Sequence, residues 1–182
     1  MLEPKLNTEY RILDISEISR ELFAGFIRRQ TVTKCRRMEN GKWTVKAAPF
    51  IDDWTENDYY LLTKQLAETI EAGGFVYAAF DGGILKGFVE TAPEIFGGSH
   101  MYADLKSIYV SADMRGRGIG TRLFDAAKEW AKSHGAKKLY ISAHSAVESQ
   151  AFYAKMGCTE AELYSRKHVE QEPFDCQLEL KL

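Results

Sequence analysis

Residues 115 to 121 have the types and the spacing that bind a phosphate group. They read Arg-Gly-Arg-Gly-Ile-Gly-Thr and contain the pattern Arg115-x-x-Gly118-x-Gly120. Glycine lets a backbone approach a ligand closely, and a helix beginning at this loop would aim unpaired amides and its positive dipole end at the same point. Arg115 and Arg117 would add two positive charges. The loop therefore predicts a phosphate or pyrophosphate site, and a tight turn with solvated arginines is the alternative.

Two familiar nucleotide-binding motifs do not fit this loop. No Gly-Lys-Ser or Gly-Lys-Thr follows it, so it is not a Walker A loop. It also lacks the third glycine spacing of a dinucleotide-binding fingerprint. The loop alone therefore predicts a phosphate without indicating which molecule carries it.

The strand expected before this loop has a fault in its alternation. Leu105 and Ile108 are both apolar but lie three residues apart, whereas residues on one face of a strand are separated by an even number. A β-bulge near Lys106 or Ser107 would repair the pattern. Because a bulge leaves backbone groups unpaired, this strand could offer hydrogen bonds to a ligand.

A second group of residues lies on the helix expected to end at Gly157. Phe152 and Met156 fall on one face, as in ordinary core packing, and Tyr153 lies beside them. A buried tyrosine hydroxyl needs a partner. Taken alone, a structural role explains Tyr153 better than a catalytic one.

Together, the two stretches resemble the GNAT superfamily of acetyl-CoA-dependent N-acetyltransferases. The resemblance rests on the Arg-x-x-Gly-x-Gly loop and on Phe-Tyr-x-x-x-Gly one strand and one helix later, and it is sharpest over residues 104–158. It implies that the strand at Ile108–Val110 bonds the pantetheine arm and that the loop binds the pyrophosphate. It also implies that Tyr153 lies near the thioester sulfur, as general acid. The implied acetyl-CoA-binding residues are Ile108, Tyr109, Val110, Arg115, Gly116, Arg117, Gly118, Ile119, Gly120, Thr121, Ser149 and Phe152.

Two positions depart from the usual pattern of that family. Members often carry asparagine a few residues before the helix tyrosine, where this chain has Ala146 with Ser145 beside it. They usually have Gly-Phe after the helix, where this chain has Gly157-Cys158. Neither position belongs to the phosphate loop, so cofactor binding is better supported than any detail of catalysis.

Acetylation of an amine requires a base, a stabiliser for the oxyanion and an acid for the departing thiolate. For the base, the resemblance points to Asp104, which lies eleven residues before Arg115, where the histone-acetylating branch has a glutamate. Its shorter side chain could act through a water. Glu90 and His144 are the competing candidates, and a solvated acid at the start of a strand is the alternative for Asp104. Backbone amides of the bulged strand are the candidates for the oxyanion role.

The predicted function is acetyl transfer to a primary amine of a small molecule. Acidic residues near the expected site favour a cationic amine; they are Glu90, Asp104, Glu172 and Asp175. A non-catalytic acyl-CoA sensor and an enzyme that acetylates a protein or peptide amine are the alternatives. A nucleotide-phosphate binder is disfavoured, because neither a P-loop lysine nor a metal-binding carboxylate is suitably placed.

Composition bounds the class of protein. With 182 residues, 45% hydrophobic and 27% charged, the chain fits one soluble domain, expected to span residues 1–182. A net charge of −2 argues against a nucleic-acid partner, and no apolar run reaches the ~18 residues of a membrane span. Residues 1–7 show no signal-peptide core, and the three cysteines show no metal-ligand spacing. We therefore expect reduced thiols and a cytoplasmic protein, and a homodimer is left open.

The order of expected strands and helices around the candidate site residues predicts a mixed α/β (α+β) fold. Its central sheet is expected to be mostly antiparallel and flanked by helices on both faces. Strands are expected at 10–14, 75–80, 84–91, 101–110 and 137–143, with two more over 158–182 around a turn near Glu172-Pro173. Helices are expected at 14–29, 55–72, 119–135 and from a Ser145–Glu148 capping box to Gly157, and a loop is expected at 93–99.

A β-hairpin inserted at about 31–50 is the unusual element. Asn40-Gly41 predicts a type I′ turn between two strands. The hairpin carries Arg36, Arg37 and Trp43, whereas the family resembled usually has only a loop here, bordering the acceptor pocket. The hairpin is therefore predicted to overhang the acceptor side and set specificity. A solvated basic hairpin and a dimer contact are the alternatives.

Overall fold

The computed structural model describes residues 8–182, which form a seven-stranded sheet, a separate two-stranded hairpin and four α-helices. The strands are β1 (Glu9–Ile12), β2 (Gln30–Glu39), β3 (Lys42–Asp52), β4 (Phe75–Asp81), β5 (Ile84–Phe96), β6 (Tyr102–Val110), β7 (Lys138–Ala143), β8 (Thr159–Glu160) and β9 (Cys176–Lys181). The helices are α1 (Glu56–Glu71), α2 (Ile119–Ser133), α3 (Val147–Lys155) and α4 (Arg166–Gln171). The expectation for residues 1–7 lies outside the described residues.

The strand order of the main sheet is β1-β4-β5-β6-β7-β9-β8. Only β6 and β7 run parallel among these neighbours, and every other pair is antiparallel. A parallel pair needs a crossover connection, which α2 provides. The prediction of a mixed, mostly antiparallel sheet is confirmed.

Alternation along β4 and β5 divides the core between the two faces of the sheet. Val76 and Phe80 pack on the face covered by α1, whereas Ala79 and Val89 pack on the face covered by α2. Successive side chains of a strand point to opposite faces, so the helices cover both faces as predicted. Tyr153 of α3 joins the core on the α2 side.

The predicted β-bulge is present at Lys106. Glu90 pairs with Ser107 and Thr91 pairs with Leu105, so Lys106 has no partner in the ladder. Its ammonium group lies 2.9 Å from the Glu90 carboxylate, and the Ser107 hydroxyl donates to the same carboxylate at 2.6 Å. The bulge thus brings two consecutive side chains of β6 onto one acid of β5.

The inserted hairpin forms as predicted, with longer strands. Asn40 and Gly41 both have positive φ, at 49° and 75°, as a type I′ turn requires. Within residues 8–182, β2 and β3 form their own two-stranded sheet, and β3 continues to Asp52. A β-bridge between Cys35 and Ala146 attaches the hairpin to the domain just beyond β7.

The helix expected over residues 14–29 is wrong. Two 3₁₀ turns form in its place, Ile15–Glu17 and Glu21–Phe23. The backbone becomes extended at Ile18, so the apolar residues are buried by an irregular path instead of one helical stripe. Phe23 is almost completely enclosed in the core. Tertiary packing of this kind overrides a weak local preference for helix.

Three further expectations differ from the structure. The loop expected at 93–99 is partly strand, because β5 continues past a register shift to pair with the start of β6. The capping box of Ser145 and Glu148 does not form, because α3 begins after Ala146 without a side-chain cap. Ser145 accepts a hydrogen bond from Arg37 instead. The last segment contains α4 between its two strands, a helix that the sequence pattern did not predict.

The remaining helices and strands are confirmed to within about two residues, the usual uncertainty of an element's end. Thr55 caps α1 together with Asp58, as predicted. In the described part of the chain, no helix combines the length and the apolar character that crossing a bilayer requires.

Candidate active site

A gap opens between the parallel strands β6 and β7. Their pairing runs only from Tyr102 with Lys138 to Asp104 with Tyr140. Beyond that point, among the described residues, Leu105–Val110 pairs with β5 alone and β7 pairs with β9 alone. One edge of each strand therefore faces the gap with backbone groups that no neighbouring strand satisfies.

The glycine-rich loop after β6 presents unpaired amides at the start of α2. Gly116 and Gly118 have φ values of 76° and 82°, which glycine adopts without strain. The first backbone bond of α2 joins Arg122 N to Gly118 O at 3.1 Å, so the amides of 119–121 have no acceptor within residues 8–182. A Cβ at either glycine would meet no atom within 4 Å, so the loop surface is open. Unpaired amides at a helix N-terminus bind anions.

Arg115 does not aim its charge at this loop, contrary to the sequence prediction. Its guanidinium donates to the carbonyl oxygens of Val110, Arg28 and Arg29 at distances between 3.1 and 3.3 Å. Burial, and then the charge of Arg28, lowers the pKa of Arg115. The side chain thus fastens the segment before β2 to the end of β6. Arg117 is also exposed at the loop surface.

Gly120 lets α2 approach α3 closely. A Cβ at this position would lie 3.3 Å from Phe152 Cε2, which is tighter than an ordinary contact. The Phe152 ring in turn meets Phe124 edge-on, with ring centroids 6.0 Å apart. Ser149, another predicted cofactor residue, is half-buried on α3. Gly120 and Phe152 therefore have a packing role between α2 and α3. The sequence resemblance named both as cofactor-binding residues and gave no sign of this packing.

Tyr153 is buried on α3, and its ring packs against Phe124 at a centroid distance of 6.3 Å. Burial raises the pKa of Tyr153 well above its ordinary value, and the groups of Tyr109, Cys158 and Asp175 raise it further. The phenol therefore stays protonated at neutral pH and can donate a proton, as a general acid must.

The chain matches the sequence profile of the Acetyltransferase (GNAT) family over residues 38–158, about two thirds of its length. The chain belongs to this family. It is an N-acetyltransferase that uses acetyl-CoA, as the sequence resemblance implied. No curated protein sequence matches it significantly.

Solved structures of acetyltransferases share the fold at low sequence identity. A nourseothricin acetyltransferase has a TM-score of 0.71 at 17% identity, covering 96% of this chain and 98% of its own. A protein described as a streptothricin acetyltransferase from Bacillus anthracis, solved with acetyl coenzyme A, has a TM-score of 0.71 at 18% identity, covering 97% and 99%. PaiA N-acetyltransferase from Thermoplasma acidophilum, solved with coenzyme A, has a TM-score of 0.61 at 16% identity, covering 97% and 100%. At these identities the likeness shows the fold.

The described residues of the acetyltransferase fit acetyl-CoA. The amides of 119–121 and the open surface at Gly116 and Gly118 suit the anionic pyrophosphate. The unpaired edge of Ile108–Val110 suits the amide groups of the pantetheine arm, because backbone edges bind such groups as a neighbouring strand would. Both features lie on the path from β6 into α2, so one extended molecule could occupy them together.

The candidate base of the acetyltransferase, Asp104, lies at the closed end of the gap. Its Oδ2 atom accepts a hydrogen bond from Nε2 of His168 at 2.8 Å. Its Oδ1 atom is buried and has no partner in the part of the chain that the structure describes. Both residues line a cleft of about 540 Å³ between α1, the end of β5, β6 and α4. Asp104 is therefore not the solvated acid that the sequence left as an alternative.

His168 is a candidate site residue that the sequence reasoning missed. It lies on α4, a helix of six residues, and no helical periodicity is readable over so short a segment. A lone histidine between Lys167 and Val169 gives no local signal of its partner. Only the packing of α4 on the sheet brings its ring to Asp104.

Glu90, the first competing base, is completely buried and fully engaged. Its two oxygens accept hydrogen bonds from Gln65, Thr69 and Ser107, each at 2.6 Å, and pair with Lys106 at 2.9 Å. With four donors already in place, the carboxylate has little capacity to take a substrate proton. Glu90 therefore serves to hold the bulge of β6 against α1.

His144, the second competing base, lies just beyond the end of β7. Its Nδ1 atom accepts a hydrogen bond from the Ala146 amide at 3.2 Å, and its ring faces Phe50 of β3 with centroids 6.0 Å apart. Since Nδ1 is used as an acceptor, the proton of the neutral ring is on Nε2. His144 therefore joins the hairpin to the open end of the gap.

Asp175, between α4 and β9, is an acid of the same region. Its Oδ2 atom accepts a hydrogen bond from Ser142 at 3.3 Å. Burial, and then repulsion by Glu172, raises the pKa of Asp175 to about 6, although His144, Ser142 and His168 oppose the shift. Its charge also raises the pKa of the Tyr153 phenol. The sequence had grouped Asp175 with the acids near the site but could not predict its burial.

The hairpin residues predicted to meet the acceptor are engaged within the chain. Arg37 donates to the Ser145 hydroxyl at 2.7 Å. Arg36 lies over the Trp43 ring at 5.0 Å, and the Trp43 indole donates to Glu160 at 3.3 Å. These contacts fasten the hairpin to the domain beside β7 and α3. The role of the hairpin in acceptor specificity stays a prediction. Because Arg36, Arg37 and Trp43 already have partners within the chain, fewer side chains of the hairpin are available to contact an acceptor.

Proposed function

We propose that this acetyltransferase transfers the acetyl group of acetyl-CoA directly to the primary amine of a small, cationic molecule. The observation that carries the proposal is the gap between β6 and β7, which ends at Asp104 and is continued by the loop into α2. Direct transfer needs a bound thioester, a base and an acid. Asp104 and Tyr153 are the candidates for the base and the acid.

Backbone groups would carry out most of the binding of the cosubstrate. The amides of 119–121 would hold the pyrophosphate, and the unpaired edge of Ile108–Val110 would orient the pantetheine arm along the gap. An amide of the bulged strand would then stabilise the negative charge that develops on the thioester oxygen. Because these groups are fixed by the sheet, they need no rearrangement during the reaction.

Two side chains would manage the protons. Asp104 would drive removal of a proton from the acceptor ammonium, either directly or through an intervening group. The neutral amine can then attack the thioester carbon. Tyr153 would protonate the departing thiolate, and its raised pKa keeps the phenol in the protonated form that this step needs.

Acidic side chains support a cationic acceptor. Asp104 has a buried oxygen without a partner in the described part of the chain, and the charge of Glu172 raises the pKa of Asp175. An ammonium group would relieve the repulsion between such carboxylates. The names of two structural neighbours contain nourseothricin and streptothricin, so these compounds are reasonable first probes.

The test is turnover with a panel of amines: nourseothricin, spermidine and a lysine-containing peptide. Mass spectrometry would detect the acetylated product, and a thiol reagent would detect CoA release. Acetylation of a small amine with equal CoA release supports the proposal, whereas acetylation of the peptide alone would favour a protein substrate. Tight binding of CoA without transfer to any amine would contradict the catalytic proposal.

Two broader predictions complete the proposal. The whole chain, residues 1–182, is proposed to act as a single acetyltransferase domain in the cytoplasm. All three cysteines are unpaired thiols within the described residues, and Cys35 and Cys176 are buried. Buried thiols suit a reducing compartment. A homodimer stays open, and sedimentation would decide it.

A further inference from the structure

We propose that the group through which Asp104 acts is His168, and that this imidazole is the general base that takes the proton of the acceptor ammonium. The inference rests on the proposed function and names a catalytic residue for it. It makes α4 a catalytic element of the acetyltransferase, in addition to its place between β8 and β9.

The geometry is that of a carboxylate–imidazole dyad. His168 Nε2 lies 2.8 Å from Asp104 Oδ2, and the two side chains are only 17% and 16% exposed. An ionised carboxylate can only accept hydrogen bonds, so Nε2 carries the hydrogen and the lone pair of the neutral ring lies on Nδ1. Nδ1 has no hydrogen-bond partner among residues 8–182. The dyad therefore holds the neutral His168 ring in one tautomer, and Nδ1 is the nitrogen available to accept a proton.

The imidazole is fixed by more than its bond to Asp104. Its ring stacks on Tyr140 of β7, with centroids 5.5 Å apart and planes 22° from parallel. The Tyr140 hydroxyl in turn accepts a hydrogen bond from the amide of Ser165, the residue that precedes α4, at 2.8 Å. One tyrosine of the sheet thus holds both the ring and the start of its helix. Such fixation is what a positioned proton acceptor requires.

The dyad lies on the wall of the 540 Å³ cleft and at the closed end of the gap. The charge of His168 lowers the pKa of Asp175, and the charge of Asp175 raises that of Tyr153.

A histidine suits this proton transfer better than a carboxylate alone. The ordinary pKa of imidazole is about 6.5 and that of an aspartate about 3.9, whereas an alkylammonium such as lysine has about 10.4. Proton transfer is most efficient when the base has a pKa near the working pH. Asp104 would hold the ring and stabilise the imidazolium that forms.

The protons and electrons balance without another reactant. The acceptor ammonium gives one proton to His168 Nδ1, and its lone pair then attacks the thioester carbon. The carbon–sulfur bond breaks, and the thiolate takes the proton of Tyr153. The new amide nitrogen releases its second proton, which restores the phenol, and His168 passes its proton to bulk water.

The decisive variant is His168→Gln, which keeps a polar side chain but cannot titrate. We expect kcat/KM for the acceptor to fall by at least ~100-fold at neutral pH, the usual lower bound for loss of general acid–base catalysis. CoA affinity should stay within about twofold, since no CoA-binding element is touched. Glu170→Gln, on the exposed side of the same helix, is the matched control and should keep wild-type rates.

Two further readouts separate a base from a residue that merely fastens α4. The wild-type rate should fall as the pH is lowered into the acidic range, and His168→Gln should lose that limb of the profile. Added imidazole should restore part of the rate of His168→Ala, because a small base can enter the space left by the ring. The charged and titratable groups facing His168 or lining its cleft are Asp104, Asp175, Tyr140, Lys106, Lys167, Glu68 and Glu94.

The outcomes are distinct. If the wild type acetylates an amine and His168→Gln keeps both its rate and its acid limb, the inference is overturned while the proposed function stands. The inference is likewise overturned if Asp104→Asn abolishes turnover and His168→Gln does not. If the wild type acetylates no amine of the panel, the proposed function fails, and the role of His168 fails with it.

Discussion

The ion pair of Lys106 with Glu90 offers a quantitative test of how the bulge of β6 is stabilised. Glu90 is 0% exposed, and the Lys106 side chain is 26% exposed. Lys106→Met would remove the cation while leaving the carboxylate buried. Removing one partner of a buried pair costs about 3–5 kcal/mol of unfolding free energy, because the remaining charge is uncompensated. Three neutral donors remain on Glu90, so we expect the lower end, about 3 kcal/mol.

The reverse change, Glu90→Gln, should cost less. Its carbonyl can still accept from Lys106, and the Gln65 amide and the Ser107 hydroxyl can reorient toward the new NH₂ group. The loss is then mainly that of charge-assisted hydrogen bonds, roughly 2 kcal/mol. The double variant removes both charges together, so it should also cost only about 2 kcal/mol. The coupling energy of the cycle is therefore expected to be about 3 kcal/mol.

Equilibrium unfolding in urea is the appropriate assay, because guanidinium chloride would screen the pair. Lys64→Met is the matched control, since Lys64 and Glu68 form an exposed pair on α1 at 3.8 Å. Exposed pairs contribute at most about 1 kcal/mol, and this control should change stability by less than about 0.5 kcal/mol. A coupling energy below about 0.5 kcal/mol between Lys106 and Glu90 would refute the reasoning, because the two charges would then act independently.

Three other predictions follow from the site. Tyr153→Phe keeps the ring and should lower kcat by ~10²–10⁴-fold without changing CoA affinity or Tm; unchanged kcat, with chemistry rate-limiting, would return Tyr153 to a packing role. Gly118→Val should weaken CoA binding by over ~tenfold in calorimetry, whereas Gly135→Val, with a similar φ of 85° against 82° but at the other end of α2, should not. Asp175 has a folded pKa of about 6, above the ~3.9 of an unfolded chain. Its ionisation therefore lowers the unfolding free energy as the pH rises from ~4 to ~6, and the loss is complete above pH 6. Asp175→Asn should therefore raise the unfolding free energy at pH 8 by on the order of 2 kcal/mol, and this gain should vanish near pH 4; an equal gain at both pH values would exclude the titration as its cause.

Features that depend on a few neighbouring residues could be predicted from the sequence. The Asn40-Gly41 turn follows from the positive φ that both positions must adopt. The bulge at Lys106 follows from a break in strand alternation, and the cap at Thr55 follows from its spacing to Asp58. Each involves covalent geometry or hydrogen bonds across one turn, so the local sequence contains all the information that is needed. The glycine-rich loop and the helix tyrosine, from which the family could be predicted, are local patterns of the same kind.

Features that depend on distant partners were decided by the tertiary structure. Asp104 and His168 are 64 residues apart, and only the packing of α4 on the sheet joins them. Arg37 and Ser145 are 108 residues apart, and their contact replaced the expected helix cap. Arg115 likewise binds backbone carbonyls of the segment before β2 instead of pointing toward the glycine-rich loop. A charged side chain binds whichever partner the topology brings within reach, and residue type and spacing do not contain that information.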